Sequence, residues 1–294
     1  MIHITNLYKT FDGFTALNGL SLHAKKGCVY GLVGVNGSGK STTIRHLAGL
    51  YIPDSGEVKI ADAAVYDNDE IKAKVGYIPD ELYFFPHYNM KNLHDFYTYM
   101  YPKFNKGRYT YLKNMFGLDE KRKIRKFSKG MQKQVAFTFA MSIMPDVLLL
   151  DEPIDGLDPI VRKDLLAVML RDVTERQMTV LVSSHNLKEM DGICDSIGII
   201  KHGRMVVERS LNDLKSDIHK IQLLMDKQAN DVSALGVTIL HQEKRGSIWQ
   251  LVVRATEDEL ADKIGSRAPI VFDRLPLTLE EVFIYESGGE SSAL

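Results

Sequence analysis

The sequence predicts an α/β protein built on a largely parallel sheet, followed by a smaller α+β unit, and three observations carry that prediction. Four apolar runs, residues 28–33, 74–78, 147–150 and 179–182, end abruptly in small or polar residues, as strands covered on both faces do. Stretches of helical period separate them. After about residue 215 the pattern changes to short strands and helices in the order βαββαβ with a terminal helix, which suggests a ferredoxin-like unit.

Size and charge narrow the functions. The chain has 294 residues, 45% hydrophobic and 26% charged, and 37 Lys and Arg against 38 Asp and Glu leave a net charge of −1. This balance excludes a disordered chain and gives no bulk electrostatic reason to bind nucleic acid or acidic lipid. Only Cys28 and Cys194 are present, too few for a disulfide framework or a structural zinc, which suits a reducing compartment. No basic segment followed by an apolar one opens the sequence, and no run approaches the ~20 apolar residues that cross a bilayer. Work at a membrane therefore requires another chain to cross it.

The strand at 28–33 runs into Gly34-Val35-Asn36-Gly37-Ser38-Gly39-Lys40-Ser41-Thr42, which fits G-x-x-x-x-G-K-[ST], and a helical pattern follows over 43–50. Glycines let backbone N–H groups wrap phosphates, the helix presents its positive end, Lys40 reaches the β/γ-phosphates and the Ser41 hydroxyl ligates Mg²⁺. By itself the loop indicates only a nucleoside triphosphate. From about 80 to 143 the pattern is helical and rich in aromatics, with Tyr83, Phe84, Phe85, Tyr88, Phe96, Tyr97, Tyr99, Tyr101 and Phe104 close together. This reads as a helical subdomain inserted between core strands.

The strand at 147–150 ends in Asp151-Glu152, where open α/β sheets bind ligands. Asp151 holds Mg²⁺ through its water shell in this reading, and Glu152, pointing differently, polarises a water. The strand at 179–184 stops at His185, at the same sheet edge, within reach of a γ-phosphate, and Asn186 caps the helix after it. Between these strands, Ser128-Lys129-Gly130-Met131 starts a helix that runs to about 143. In the last segment, Thr256 with Glu259 and Thr278 with Glu281 have capping-box spacing, which predicts two helices.

The ordered set of phosphate loop, Ser128-Lys129-Gly130-Met131, Leu150-Asp151-Glu152-Pro153, Gly156-Leu157-Asp158 and Ser184-His185 resembles the ATP-binding-cassette (ABC) transporter ATPases over about residues 1–215. The resemblance implies a P-loop ABC cassette at 1–215, with a RecA-like core sheet and a helical subdomain at about 80–143; the ferredoxin-like segment at 216–294 lies beyond it, as an accessory domain that regulates or strengthens dimerisation or as structural padding. It implies ATP and Mg²⁺ as cofactors and two cassettes paired head to tail, as a homodimer or with a sister cassette. Carried onto this chain, Phe11 stacks on adenine; Gly34, Asn36, Gly37, Ser38, Gly39, Lys40, Ser41 and Thr42 surround the phosphates. Ser41 and Asp151 serve Mg²⁺, Glu152 is the catalytic base, and His185 contacts the γ-phosphate. Ser128, Lys129, Gly130 and Met131 face the partner's nucleotide, and Asp158 lies at the dimer seam. Where the family has Gln at the end of the strand at 75–79, this chain has Asp80, still within reach of Mg²⁺ or its waters. Phe127 and Met131 are milder departures.

The aromatic stretch, the Ser-Lys-Gly-Met motif and the closing residues 277–283 resemble the ABC-2-type export branch. That branch implies ATP hydrolysis driving export of peptides or amphipathic antimicrobial compounds, at the cytoplasmic face of the cell membrane. A separate polytopic permease would dock near Asp80–Phe104, with no nucleic-acid partner. The competing reading is a soluble ABC ATPase acting on nucleic acid or ribosomes. Such a chain is expected to carry two cassettes, a long heptad insertion or zinc-ligand cysteines, which this sequence lacks. A degenerate cassette is expected to lose Lys40, Glu152 or His185.

Overall fold

In the computed structural model, the residues described are 1–153, 157–211, 213, 217–224, 232–265 and 269–286. The chain opens with β1 (Ile2–Phe11) and β2 (Phe14–Ala24), an antiparallel hairpin closed by the two-residue turn Asp12-Gly13. Both turn residues have positive φ, 46° and 84°, as the twist of a tight hairpin requires. Two further strands, β4 (Ser55–Ile60) and β5 (Ala63–Ala64), complete a sheet in the order β2-β1-β4-β5. Periodicity does not reveal this sheet, because register shifts between Ile4 and Leu7 and between Lys9 and Thr10 break the alternation. Its apolar side chains, among them Ile2, Leu7 and Leu20, share one core with Tyr30, Leu32, Ile44 and Leu47.

The predicted buried runs form the central sheet. Strands β3 (Val29–Val33), β6 (Val75–Ile78), β7 (Val147–Asp151) and β8 (Thr179–Ser184) are parallel. They are joined by β9 (Ser196–Lys201) and β10 (Arg204–Ser210) in the order β10-β9-β3-β8-β7-β6. Every residue of β3, β7 and β8 is buried, so these strands carry no polar face. Helix α1 (Lys40–Leu47) begins inside the phosphate-loop motif and stops before the expected residue 50. Gly49, at φ 69°, ends it: its N–H donates to the His46 carbonyl (3.0 Å) and the Leu50 N–H to the Arg45 carbonyl (2.9 Å). That is a Schellman ending, and the left-handed position is one glycine fills without strain. Helices α2 (Asp69–Lys72), α6 (Pro159–Arg176) and α7 (Leu187–Met190) connect the strands, α7 capped by Asn186.

Between β6 and β7 lie α3 (Met90–Met100), α4 (Lys106–Met115), a 3₁₀ turn at Ile124–Lys126 and α5 (Lys129–Ser142). Their core is aromatic: Phe139 meets Tyr97 at 4.8 Å and Tyr109 at 5.3 Å between ring centroids. Burial pushes the Tyr97 hydroxyl up to about 12. Of the clustered aromatics, Phe84, Tyr88, Tyr97 and Phe104 pack on this core, while Tyr83, Phe85, Phe96 and Tyr99 are exposed.

The chain divides into two units, Met1–Glu208 and Arg209–Leu294. In the second, β11 (Ile218–Leu224), β12 (Thr238–Arg245), β13 (Ile248–Arg254) and β14 (Val271–Leu275) form an antiparallel sheet in the order β12-β13-β11-β14. This is the ferredoxin-like strand order. The first crossover has a 3₁₀ turn, Val232–Leu235, where the order βαββαβ predicts a helix, and residues 225–231 lie outside those described. Helices α8 (Glu257–Gly265) and α9 (Leu279–Glu286) follow. Both predicted capping boxes are present: the Glu259 N–H donates to Thr256 Oγ1 (3.3 Å) and the Glu281 N–H to Thr278 Oγ1 (3.2 Å), with each Glu carboxylate accepting from the Thr N–H at 3.0 Å.

Candidate nucleotide site

The phosphate-loop motif lies between β3 and α1 and is held from both sides. The Gly34 N–H donates to the Ser184 carbonyl (3.3 Å), Ser38 N–H to Val35 O (3.1 Å), and Gly203 N–H to Ser38 O (2.8 Å). Gly39, at φ 113°, precedes the first helical residue, and that angle excludes a side chain at little strain. The Ser38 hydroxyl is buried without a hydrogen-bond partner, a cost relieved by a polar ligand in the loop. Lys40 is only 5% exposed. Its Nζ donates to the carbonyls of Gly34 (2.7 Å) and Val35 (3.3 Å) and lies 3.4 Å from Glu152 Oε1.

The carboxylates at the end of β7 diverge, through a turn after the strand and not through alternation along it. Asp151 Oδ1 accepts from Ser41 Oγ (3.1 Å) and from Ser183 Oγ (2.7 Å). Glu152 leaves the strand at φ 47°, and its N–H donates to Ser183 Oγ (3.1 Å) while its carbonyl accepts from Lys133 Nζ (2.9 Å). That turn sends its carboxylate between two partners, Lys40 at Oε1 and His185 Nδ1 at Oε2 (3.0 Å). Asp151 and Glu152 are buried, and the His185 side chain is half-exposed. Sequence reasoning misses Ser183 and Lys133. Ser183 reaches Asp151 only because β7 and β8 pair in that register, and Lys133 carries no local signal.

The remaining candidates are more dispersed. Phe11 is exposed at the tip of the first hairpin, edge-on to Tyr51 at 5.2 Å, with Lys9 Nζ 5.3 Å from its ring centroid. Lys9 also donates to Asp54 (2.7 Å) and holds that carboxyl below its usual range. Thr42, half-buried, gives its carbonyl to His46 Nδ1 at 2.8 Å, and burial lowers the His46 pKa. Asn36 and Gly37 lie in the loop turn and are exposed. Ser128 caps α5 through the Met131 N–H (3.2 Å), Lys129 is exposed, Gly130 is half-buried, and Met131 packs on the helical core. Asp158 caps α6 through the Ile160 N–H (2.9 Å), and Gly156 lies outside the described residues. Asp80 is exposed and makes no hydrogen bond or ion pair to a described residue. No described hydrogen bond or ion pair brings Phe11, Asp80, Asp158 or the 128–131 motif to Lys40 or Glu152.

The hydroxyl and carboxylate oxygens of Ser41 and Asp151 are hard donors suited to Mg²⁺. Among the described residues no cluster of three His, Cys, Asp or Glu side chains is arranged for a metal, so these two donors fit a cation that is also coordinated by phosphate and water.

The profile described as "ABC transporter" matches residues 17–155. The ABC transporter ATP-binding protein YtrB of Bacillus subtilis (strain 168) is 32% identical over 99% of this chain and 99% of its own. The chain belongs to the ABC transporter ATP-binding proteins. The bacitracin transport ATP-binding protein BcrA of Bacillus licheniformis is 31% identical over 77% of this chain and 79% of its own. A dimeric ATP-binding cassette solved in a post-hydrolysis state with ADP and Pi superposes with a TM-score of 0.65 at 25% identity, over 72% of this chain and 99% of that one. As an ABC ATPase subunit the chain binds nucleotide and hydrolyses ATP, and cassettes of this kind work as dimers with membrane permease partners. Subunits of this kind are membrane-associated. No helix among the described residues is long and apolar enough to cross a membrane. These relatives do not favour an ABC ATPase acting on nucleic acid or ribosomes.

Proposed function

We propose that this ABC ATPase powers export of peptides or other amphipathic antimicrobial compounds from the cytoplasmic face of the membrane. The observation that carries the catalytic part is the Glu152 carboxylate held between Lys40 and His185, beside the Ser41–Asp151 oxygen pair. The substrate class rests on family likeness, including the bacitracin-transport relative.

In this reading the loop residues Gly34 to Gly39 offer backbone N–H groups to the phosphates, and Lys40 Nζ turns from the Gly34 and Val35 carbonyls to the β/γ-phosphates. Thr42 adds a further donor, and Phe11 offers its exposed ring to adenine. Ser41 and Asp151 would hold Mg²⁺, with Asp80 as a further candidate, and Mg²⁺ would neutralise charge on the transferring phosphoryl oxygens. Glu152 accepts the proton of a water as its oxygen bonds to the γ-phosphorus, the β–γ bridging P–O bond breaks, and ADP and phosphate leave. His185 holds Oε2 of the base in position and donates toward the γ-phosphate.

The N-terminal turn of a helix offers free backbone N–H groups to an anion, and α5 presents Ser128, Lys129 and Gly130 there, which suits the γ-phosphate held by a second cassette. Asp158 at the start of α6 belongs to the same seam. A groove of about 280 Å³ between α1 and the helical subdomain, lined by Leu50, Tyr77, Tyr97 and Tyr101, supports permease docking near Asp80–Phe104 by a short helix. Residues 1–215 then form the nucleotide-binding domain, and 216–294 an accessory domain that regulates or strengthens pairing.

Glu152→Gln tests the core of this reading. It is expected to bind Mg-ATP, lose turnover and elute as a stable dimer; a monomer at saturating nucleotide contradicts the head-to-tail pairing. Recovered from detergent-solubilised native membranes in that state, it is expected to bring a polytopic membrane protein with it. Ribosomal or DNA-repair proteins in its place would overturn export.

A further inference from the structure

We infer that Lys133 is a positioning residue that ties the helix carrying the Ser128 motif to the peptide of Glu152, an inference that rests on Glu152 acting as the base. Glu152 sits at φ 47°, a left-handed conformation that is strained for a non-glycine residue. Such a residue keeps its geometry only if its surroundings over-determine it. Two hydrogen bonds at its backbone do so: its N–H donates to Ser183 Oγ (3.1 Å), and its carbonyl accepts from Lys133 Nζ (2.9 Å). The first anchors Glu152 to β8, and the second anchors it to α5. Between those anchors the carboxylate meets Lys40 and His185.

The element that supplies Lys133 gives the contact its meaning. Helix α5 starts at the Ser128 cap, and Lys133 stands five residues further on, about 7.5 Å along the axis. Beyond Lys133 the helix is fixed at its apolar positions. Val135 and Phe139 are buried in the helical subdomain, and the Ala140 carbonyl lies close against Gly76 of β6. A shift of the helix start, where a second cassette's nucleotide would press, therefore moves Nζ against the Glu152 carbonyl. Misplacing a reacting group by about 1 Å costs on the order of 100-fold in rate, so this bond controls whether the carboxylate is aligned with its water.

Lys133→Met, which keeps the stem and removes the donor, is compared with Lys133→Arg, Glu152→Gln and the unaltered chain. Lys133→Met is expected to lower kcat ~10-fold or more with KM for ATP unchanged within ~2-fold, and Lys133→Arg to return kcat to within ~3-fold. In the Glu152→Gln background, Lys133→Met is expected to leave Mg-ATP-driven dimerisation intact. A Lys133→Met enzyme with unaltered kcat overturns the inference, as does a loss of kcat with a matching rise in KM. A thermal midpoint that falls in step with kcat, both restored by arginine, marks a structural role and overturns it too. If Glu152→Gln keeps turnover, the reading of Glu152 as base fails instead; an inactive Glu152→Gln beside a fully active Lys133→Met removes only the role of the lysine.

Discussion

Asp80 follows Ile78 by the same two residues that separate Glu152 from Leu150, and Ile78 pairs with Leu150 in the sheet. Its carboxylate is therefore at the end of the sheet that carries Asp151 and Glu152, yet it is exposed and unpaired among the described residues. A negative charge beside a triphosphate is tolerated when a cation intervenes. Asp80→Gln is expected to preserve or raise ATPase activity, measured as phosphate release at saturating Mg-ATP. A loss on the order of several hundred-fold would assign Asp80 an indispensable place on the metal. At this scale, legibility follows distance along the chain. Lys40, Ser41, Asp151, Glu152 and His185 stand in short motifs or at strand ends, and the sequence alone points to them. Ser183 and Lys133 act on Glu152 across 31 and 19 residues, so their roles appear only when register and helix placement are known.

Among the elements, α1 joins the phosphate loop to the first core. His46, in its last turn, is buried, its Nδ1 against the Thr42 carbonyl, and burial holds its pKa below 6.5. The folded protein thus binds this proton less readily than the unfolded chain, so the stability it preserves is complete above about pH 6.5 and falls as pH drops toward the folded pKa. Thermal midpoints between pH 7.5 and 5.5 should decline less steeply in His46→Asn than in the unaltered chain; equal slopes would remove His46 as the cause. In the second unit, Thr256→Ala removes the cap of α8 and should lower stability by about 0.5–2 kcal/mol in denaturant unfolding. Phe139→Ala empties the centre of the aromatic cluster and should cost about 3–5 kcal/mol. The two capping boxes were legible because their partners are three residues apart. The first sheet was not, because its register shifts interrupt the two-residue period by which a half-buried strand is recognised.

For the whole molecule, near-zero charge matters more than any single pair. With a net charge of −1 and a pI near 6.8, the purified chain should show its lowest solubility near that pH at low salt. Light scattering across pH 5.5–8.5 checks this, and a minimum elsewhere would point to an uneven charge distribution. Each of the two units has its own buried cluster, and the change of periodicity near residue 215 reveals the second. The division itself falls after Glu208, within β10, a boundary that composition does not mark. The first hairpin bears on how such a chain tolerates change over generations. Phe11 pairs with Phe14 across only Asp12 and Gly13, and side chains alternate faces residue by residue. Replacing Asp12 by Asn keeps the count, so the aromatic tip stays where it is. A single inserted or deleted codon in that turn would instead shift the pairing and turn the tip away, leaving every phosphate-loop residue untouched. For this family member, length polymorphism at residues 12 and 13 should be more damaging than amino-acid replacement there.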